Sequence, residues 1–240
     1  MSSKEKQPIK PAGTVALIRD VDLGIEVLML RRNKALAFAA GAWVFPGGSV
    51  DPSDLAGLQG DEQAAAQVAA CREAQEECGL SVSPDDLQAI SHWTTPEGEP
   101  RRFSTWLFVA GVNGHAEVTI DEGEIHDAIW LPPAAALERH AQGQMKMLPP
   151  TYMTLKAIAP ARSVAEVTAA LRGHNPVVVE PHGALIEGGF TAMYPGDAGF
   201  HSLDPDTPGP RHRSEMREGI ITSCVSNLPE GFAPLDSIGL

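Results

Sequence analysis

The residues best suited to chemistry lie together in Arg72-Glu73-Ala74-Gln75-Glu76-Glu77-Cys78-Gly79-Leu80. On a helix turning about 100° per residue, Glu73, Glu76 and Glu77 share an arc of about 100°. They crowd the C-terminal end, where the helix dipole disfavours negative charge. Three like charges so placed ask for a cation, and an all-oxygen ligand set suits Mg²⁺ or Mn²⁺. An acidic helix face taken alone is more often merely solvated. The surroundings must decide, and they begin with the opposite side of the same helix. Ala64, Cys71, Ala74 and Cys78 form a narrow face of small side chains, able to press against a sheet.

Several elements are available to position that helix. Thr14–Ile18 and Glu26–Leu30 flank the turn residues Asp20-Val21-Asp22-Leu23-Gly24 and read as a strand pair. Trp43-Val44-Phe45 is a third short apolar run, stopped by Pro46-Gly47-Gly48. A polar loop from Ser49 to Gly60 follows. Asp61 can then cap a helix from Glu62 to Cys78, with Gly79 suited to its end. Phe103–Val112 and Ala128–Leu131 read as strands, and Pro133–His140 and Thr151–Ala159 as helices. Beyond Pro160, Ser163 and Glu166 form a capping box for a helix that Gly173 can end. Val177–Val179 and Ala184–Ile186 are strand candidates, and Met193–Arg213, dominated by Pro, Gly, Asp and His, reads as loop.

The two glycines, the loop and the helix carrying Arg-Glu-x-x-Glu-Glu, then Gly79-Leu80, resemble the Nudix box. Arg72, Glu73, Glu76, Glu77, Gly79 and Leu80 match that pattern, and Trp43 to Gly48 is its usual approach. The resemblance covers residues 13–160. It departs in three places: Gly48 lies 24 residues before Arg72 rather than 14, Ala64 stands where the box has its first glutamate, and Ala74 replaces a bulky aliphatic. The resemblance implies a Nudix-type α/β/α sandwich with a mixed sheet, hydrolysing a nucleoside diphosphate linked to a second group. It implies that Glu73, Glu76, Glu77 and the carbonyl of Gly48 hold Mg²⁺ or Mn²⁺, with Arg72 fixing a carboxylate beside them. A general base is implied on a later loop, where Glu122 and Glu124 both qualify.

The lengthened loop, the segment from Thr95 to Thr105 and Leu148-Pro149-Pro150-Thr151 are similar to the coenzyme A diphosphatase-like, peroxisomal-type branch of the family. Arg101 and Arg102 could contact phosphates, and Phe103 could stack on a base or open a core strand. The spaced arginines that such enzymes carry before the Phe-Pro-Gly-Gly are absent here, where Arg31 and Arg32 are followed by Ala35 to Ala40. ADP-ribose, a nucleotide sugar or a dinucleotide therefore stays open as substrate, as does a ligand-sensing module that hydrolyses nothing.

The composition narrows the partners. Of the net charge of −13, nearly all comes from residues 61–140, which hold 4 basic and 15 acidic side chains. Nucleic acid binding needs clustered Lys and Arg and is not expected. No apolar run approaches a membrane span, Met1 to Pro11 lacks the apolar stretch of a signal peptide, and three cysteines fit a reducing compartment. A cytoplasmic enzyme acting on a small molecule is expected. The organisation expected is a polar N-terminal tail (1–12), a catalytic domain (13–160) and a loop-rich extension (161–240). That extension, too small in apolar content to fold alone, should cover the core or form a homodimer contact.

Overall fold

A computed structural model describes residues 8–34, 39–114, 116–121 and 123–240 of the chain. Its centre is β1 (Ile9–Val21), which sends Val15 and Leu17 to one side and Ala16 and Ile18 to the other, all four buried. A strand apolar on both faces must lie inside a sheet covered on both sides. β2 (Gly24–Arg32) pairs antiparallel with the second half of β1, and β3 (Trp43–Val44) lies outside β2. β4 (Gly47–Ser49) pairs antiparallel with the first half of β1, with Gly13 opposite Gly48. One edge of β1 is thus shared between two strands, and Pro46 sits where they part. Its carbonyl accepts the Val15 amide at 2.9 Å and the Thr14 hydroxyl at 2.7 Å.

α1 (Glu62–Cys78) has the limits its cap signals predict. The Asp61 carboxylate accepts the Ala64 amide, and Gly79, in the left-handed conformation at φ 73°, closes the end. Ala66, Ala70, Ala74 and Cys78 lie on Val15, Leu17, Leu28 and Leu30. The approach is so close that a Cβ on Gly13 would stand 1.9 Å from the Ala66 carbonyl oxygen. Small residues on both partners bring this helix down onto the sheet.

β5 (Gln88–Thr94) is a strand that the sequence pattern did not reveal. A bulge between Ala89 and Ser91 breaks its two-residue alternation, which is the signal such a reading depends on. β6 (Arg102–Gly111) runs parallel to β1 and antiparallel to β5, while β7 (Ile125–Leu131) pairs antiparallel with β2. α2 (Pro133–Ala141), α3 (Pro149–Ile158) and α4 (Val164–Arg172) cover the face opposite α1, packing with Ala16, Ile18, Val27 and Met29. β8 (Val177–Val179) joins parallel to β5, giving the order β3-β2-β1-β6-β5-β8. The fold is an α/β/α sandwich with a mixed sheet.

Three boundaries differ from the sequence expectation. β1 starts at Ile9, so residues 9–12 are strand rather than tail, paired with Arg102 to Thr105; residues 1–7 lie outside the described residues. α4 and β8, both beyond residue 160, lie against and within the large sheet. The third difference is in the expected loop of 193–213, whose two ends are strands. β9 (His182–Ile186), β10 (Gly189–Met193), β11 (Arg211–Arg217) and β12 (Ile220–Ser226) form a second antiparallel sheet. Polar side chains supply the order that composition hides. The buried Asp197 carboxylate takes Arg213 Nε at 2.8 Å and Nη2 at 2.6 Å, together with the His212 and Gly199 amides. Ala192, Tyr194, Ile221, Leu235 and Ile238 share one apolar cluster with Ile90, Trp93, Met153 and Leu155. His140 Nε2 accepts the Ile221 amide at 2.7 Å, and Lys156 pairs with Asp236 at 2.8 Å. Among the described residues, no helix is long and apolar enough to cross a membrane.

Candidate active site

The parting of β2 and β4 brings the acidic helix to the two glycines. A Cβ on Gly48 would lie 2.2 Å from Glu73 Oε1, so this carboxylate rests against bare backbone that only glycine provides. Glu77 lies beside it, 5% exposed, its Oε2 accepting the Gly47 amide at 3.0 Å. Its other oxygen stands 3.9 Å from Arg32 Nη1. Burial pushes the Glu77 carboxyl up to about 8; the Gly47 amide and Arg32 oppose this, while the charges of Glu73 and Glu124 add to it. Burial also raises Glu73, against the pull of Arg72. Glu76 is the outer member of the three, more than half exposed.

Arg72 uses every nitrogen of its guanidinium. Nη1 donates to Glu73 Oε1 at 2.9 Å and to Glu76 Oε2 at 3.1 Å. Nε and Nη2 donate to the two oxygens of Asp54 at 3.2 and 3.0 Å, and Nη2 also to the Ser49 carbonyl at 3.1 Å. Asp54 is buried, in the lengthened loop, on a single 3-10 turn (Pro52–Leu55). Its burial would raise its carboxyl, but Arg72 and the Asp51 amide outweigh that and hold it below the ordinary carboxylate value.

From the opposite side comes Glu124, whose Oε2 lies 3.3 Å from Arg32 Nη2. Arg32 therefore stands between Glu77 and Glu124, one carboxylate buried and one open to solvent. The Asp121 carboxylate accepts the amides of Glu124 and Ile125, which shapes this loop and occupies Asp121. Glu122 lies outside the described residues.

Among the described residues, no three His, Cys, Asp or Glu side chains form a ready-made metal cage. The reason is local, since Glu73 and Glu76 turn onto Arg72 and Glu77 onto Gly47. The donor set nevertheless fits a hard divalent ion. It is all oxygen, and its most buried carboxylate faces one arginine only at 3.9 Å while neighbouring anions disfavour its charge.

The residues expected to bind substrate fare unevenly. Arg102 is a correction: it is 7% exposed, bonded to Glu180 Oε1 at 2.6 Å and to the Thr95 carbonyl at 2.9 Å. Buried guanidinium needs a carboxylate, and this one joins β6 to the chain after β8 rather than facing a phosphate. Arg101 is exposed just before β6. Phe103 is half-buried, its backbone paired with Thr95. Burial pushes the thiols of Cys71 and Cys78 up to about 11, which leaves them inert.

Two further side chains meet this acidic cluster without a sequence expectation for that place. Nothing local in the sequence ties Arg32 to Glu77 and Glu124, which stand 45 and 92 positions away. Asp54 carried a usable signal, because Asp51-Pro52-Ser53-Asp54 has the form of a capped turn with acidic residues three apart.

Known proteins are similar to this chain in fold and sequence. The crystal structure of a NUDIX hydrolase from Alicyclobacillus acidocaldarius superposes with a TM-score of 0.62 at 26% identity, covering 68% of this chain and 96% of that one. A protein named nudix hydrolase 7, from Caenorhabditis elegans, is 23% identical over a 206-residue alignment that covers 71% of this chain and 68% of the relative. The family model described as the NUDIX domain matches residues 10–150, from the first strand to the start of α3 and more than half of the chain. The glycine pair, the glutamate helix and strands β2 to β7 all fall within that span, and the chain belongs to the Nudix hydrolase family.

Proposed function

We propose that this Nudix hydrolase cleaves the diphosphate linkage of a nucleoside diphosphate derivative, with coenzyme A or an acyl-coenzyme A as the favoured substrate class. The observation that carries the reading is the meeting of Glu73 and Glu77 with Gly47-Gly48, faced by Arg32 and Glu124. Glu73, Glu76, Glu77 and the Gly48 carbonyl would hold Mg²⁺ or Mn²⁺. When bound, the ion would neutralise the diphosphate and lower the pKa of the attacking water. Arg72 holds the rotamers of Glu73 and Glu76. Glu124 is open enough to accept a proton from that water, and Glu122 remains the alternative for the same role. With Arg102 committed to Glu180, Arg101 and Phe103 are left from the expected substrate contacts.

Support for coenzyme A rests on the lengthened loop and on the segments 95–105 and 148–151, and ADP-ribose, nucleotide sugars and dinucleotides are the competing substrates. The test offers all four classes with Mg²⁺ or Mn²⁺ and identifies products by mass. Cleavage within the diphosphate, fastest for a coenzyme A species, is expected. Binding of any of them without metal-dependent cleavage would turn the reading to a ligand-sensing module.

We further propose that residues 161–240 cover the catalytic domain rather than form a second catalytic unit, with a two-fold dimer contact as their additional role. The apolar cluster shared by Ile221, Leu235 and Ile238 with Met153 and Leu155 supports the first part. Exposed Leu185 and Phe190 on adjacent strands support the second. Truncation after residue 160 is expected to give an insoluble or molten core, because it uncovers this cluster and removes α4 and β8. A truncated chain that stays soluble, monodisperse and active would refute the arrangement.

A further inference from the structure

We propose that Asp54, in the lengthened loop, is a positioning residue that fixes Arg72 so that only its Nη1 reaches the metal-binding glutamates. The inference rests on the metal site proposed above and concerns how that site is kept available.

Arg72 faces a conflict that follows from its position. It stands one residue from Glu73 and four from Glu76, and its Nη1 already touches both. A guanidinium free to close on those carboxylates would neutralise the charge that attracts a dication. With Ala64 eight residues before Arg72, where the box has its first glutamate, the helix pairs Arg72 with Glu73 and Glu76 alone among the described residues. The loop offers Asp54, with the Asp51 carboxylate farther off at 3.9 Å from Nη2. Asp54 takes Nε and Nη2 in a two-pronged contact, and the Ser49 carbonyl adds a third acceptor on the same side.

The anchor is itself built to stay. Asp54 is 4% exposed, the Asp51 amide donates to its Oδ2 at 2.8 Å, and its own amide donates back to the Asp51 carbonyl at 2.9 Å. Two parallel bonds fix the plane of a guanidinium as well as its place. Asp54 therefore satisfies the charge of Arg72 away from the helix, leaving one nitrogen to orient Glu73 and Glu76. The stretch between Gly48 and Arg72 thus supplies the acidic partner that fixes Arg72.

The test measures Mn²⁺ binding to the full chain by the loss of free-ion EPR signal, without substrate. Asp54→Asn is expected to weaken Mn²⁺ binding roughly tenfold or more. In an Arg72→Gln background the same change should alter affinity by less than about twofold, because its route of action is gone. Should Asp54→Asn not melt cooperatively, Asp54→Ser carries the same expectation. Wild-type protein that binds no Mn²⁺ would remove the metal site and this inference together. Wild-type protein that binds Mn²⁺ beside an equally tight Asp54→Asn would remove this inference alone. Equal weakening in both backgrounds would show that Asp54 only folds the loop, and would overturn it too.

Discussion

Glu77→Gln should lower kcat at saturating Mg²⁺ by about 10²- to 10³-fold while the protein keeps its fold. The amide is nearly isosteric with the acid, and the Gly47 amide can still donate to its carbonyl oxygen. What is lost is a buried negative charge beside Glu73, at the point where a dication would meet the diphosphate. Glu76→Gln should act in the same direction. Glu76 is more exposed and already shares Arg72, so its loss should appear partly as a higher metal requirement. Circular dichroism and melting curves separate loss of function from loss of fold. Wild-type turnover in either variant at saturating metal would take that residue out of the mechanism.

The parts of this site that could be read from the sequence are those encoded locally. α1 announces itself locally through its caps Asp61 and Gly79, and its three glutamates share an arc by helix geometry alone. Its buried face, however, holds Ala66 and Ala70 beside Ala74 and Cys78 in place of the expected Ala64 and Cys71. The partnership of Gly47 and Gly48 with that helix was legible only through the resemblance to a known pattern. The two residues stand about thirty positions from Glu77, and no periodicity links them. Arg32 and Glu124 meet because β2 pairs with β7, a contact between strands almost a hundred positions apart. Arg102 shows the same limit from the other side. An arginine before an apolar strand looks available for phosphate until Glu180, 78 residues later, is brought against it. Long-range pairing decides the role of an ionisable side chain, and composition hides it most where polar residues do the ordering, as around Asp197 and Arg213.

Metal and proton should compete for Glu77, and this is the second large effect expected. A carboxyl raised to about 8 in the fold, from an ordinary value of 4.5, favours folding while it is protonated. That contribution is complete below about pH 4.5 and is lost as pH rises through 8. Burial lowers His92 and His212, so they act oppositely near pH 6.5, and the total slope is therefore mixed. Asp54 and Asp197, held low, matter only in stronger acid. The difference between wild type and Glu77→Gln isolates the term. In EDTA the variant should gain on wild type between pH 5 and 8, by up to about 4 kcal/mol at roughly 1.4 kcal/mol per unit. That corresponds to roughly 8–16 °C in Tm for a chain of this size. Saturating Mg²⁺ or Mn²⁺ should shrink or reverse the gap at pH 8, because the ion binds the ionised wild-type site and stabilises the fold in proportion to log concentration. A pH-independent difference in EDTA would show that Glu77 is already compensated in the metal-free protein. A gap untouched by either ion would place the divalent site elsewhere, since Glu77 is the carboxylate with most to gain from a nearby positive charge.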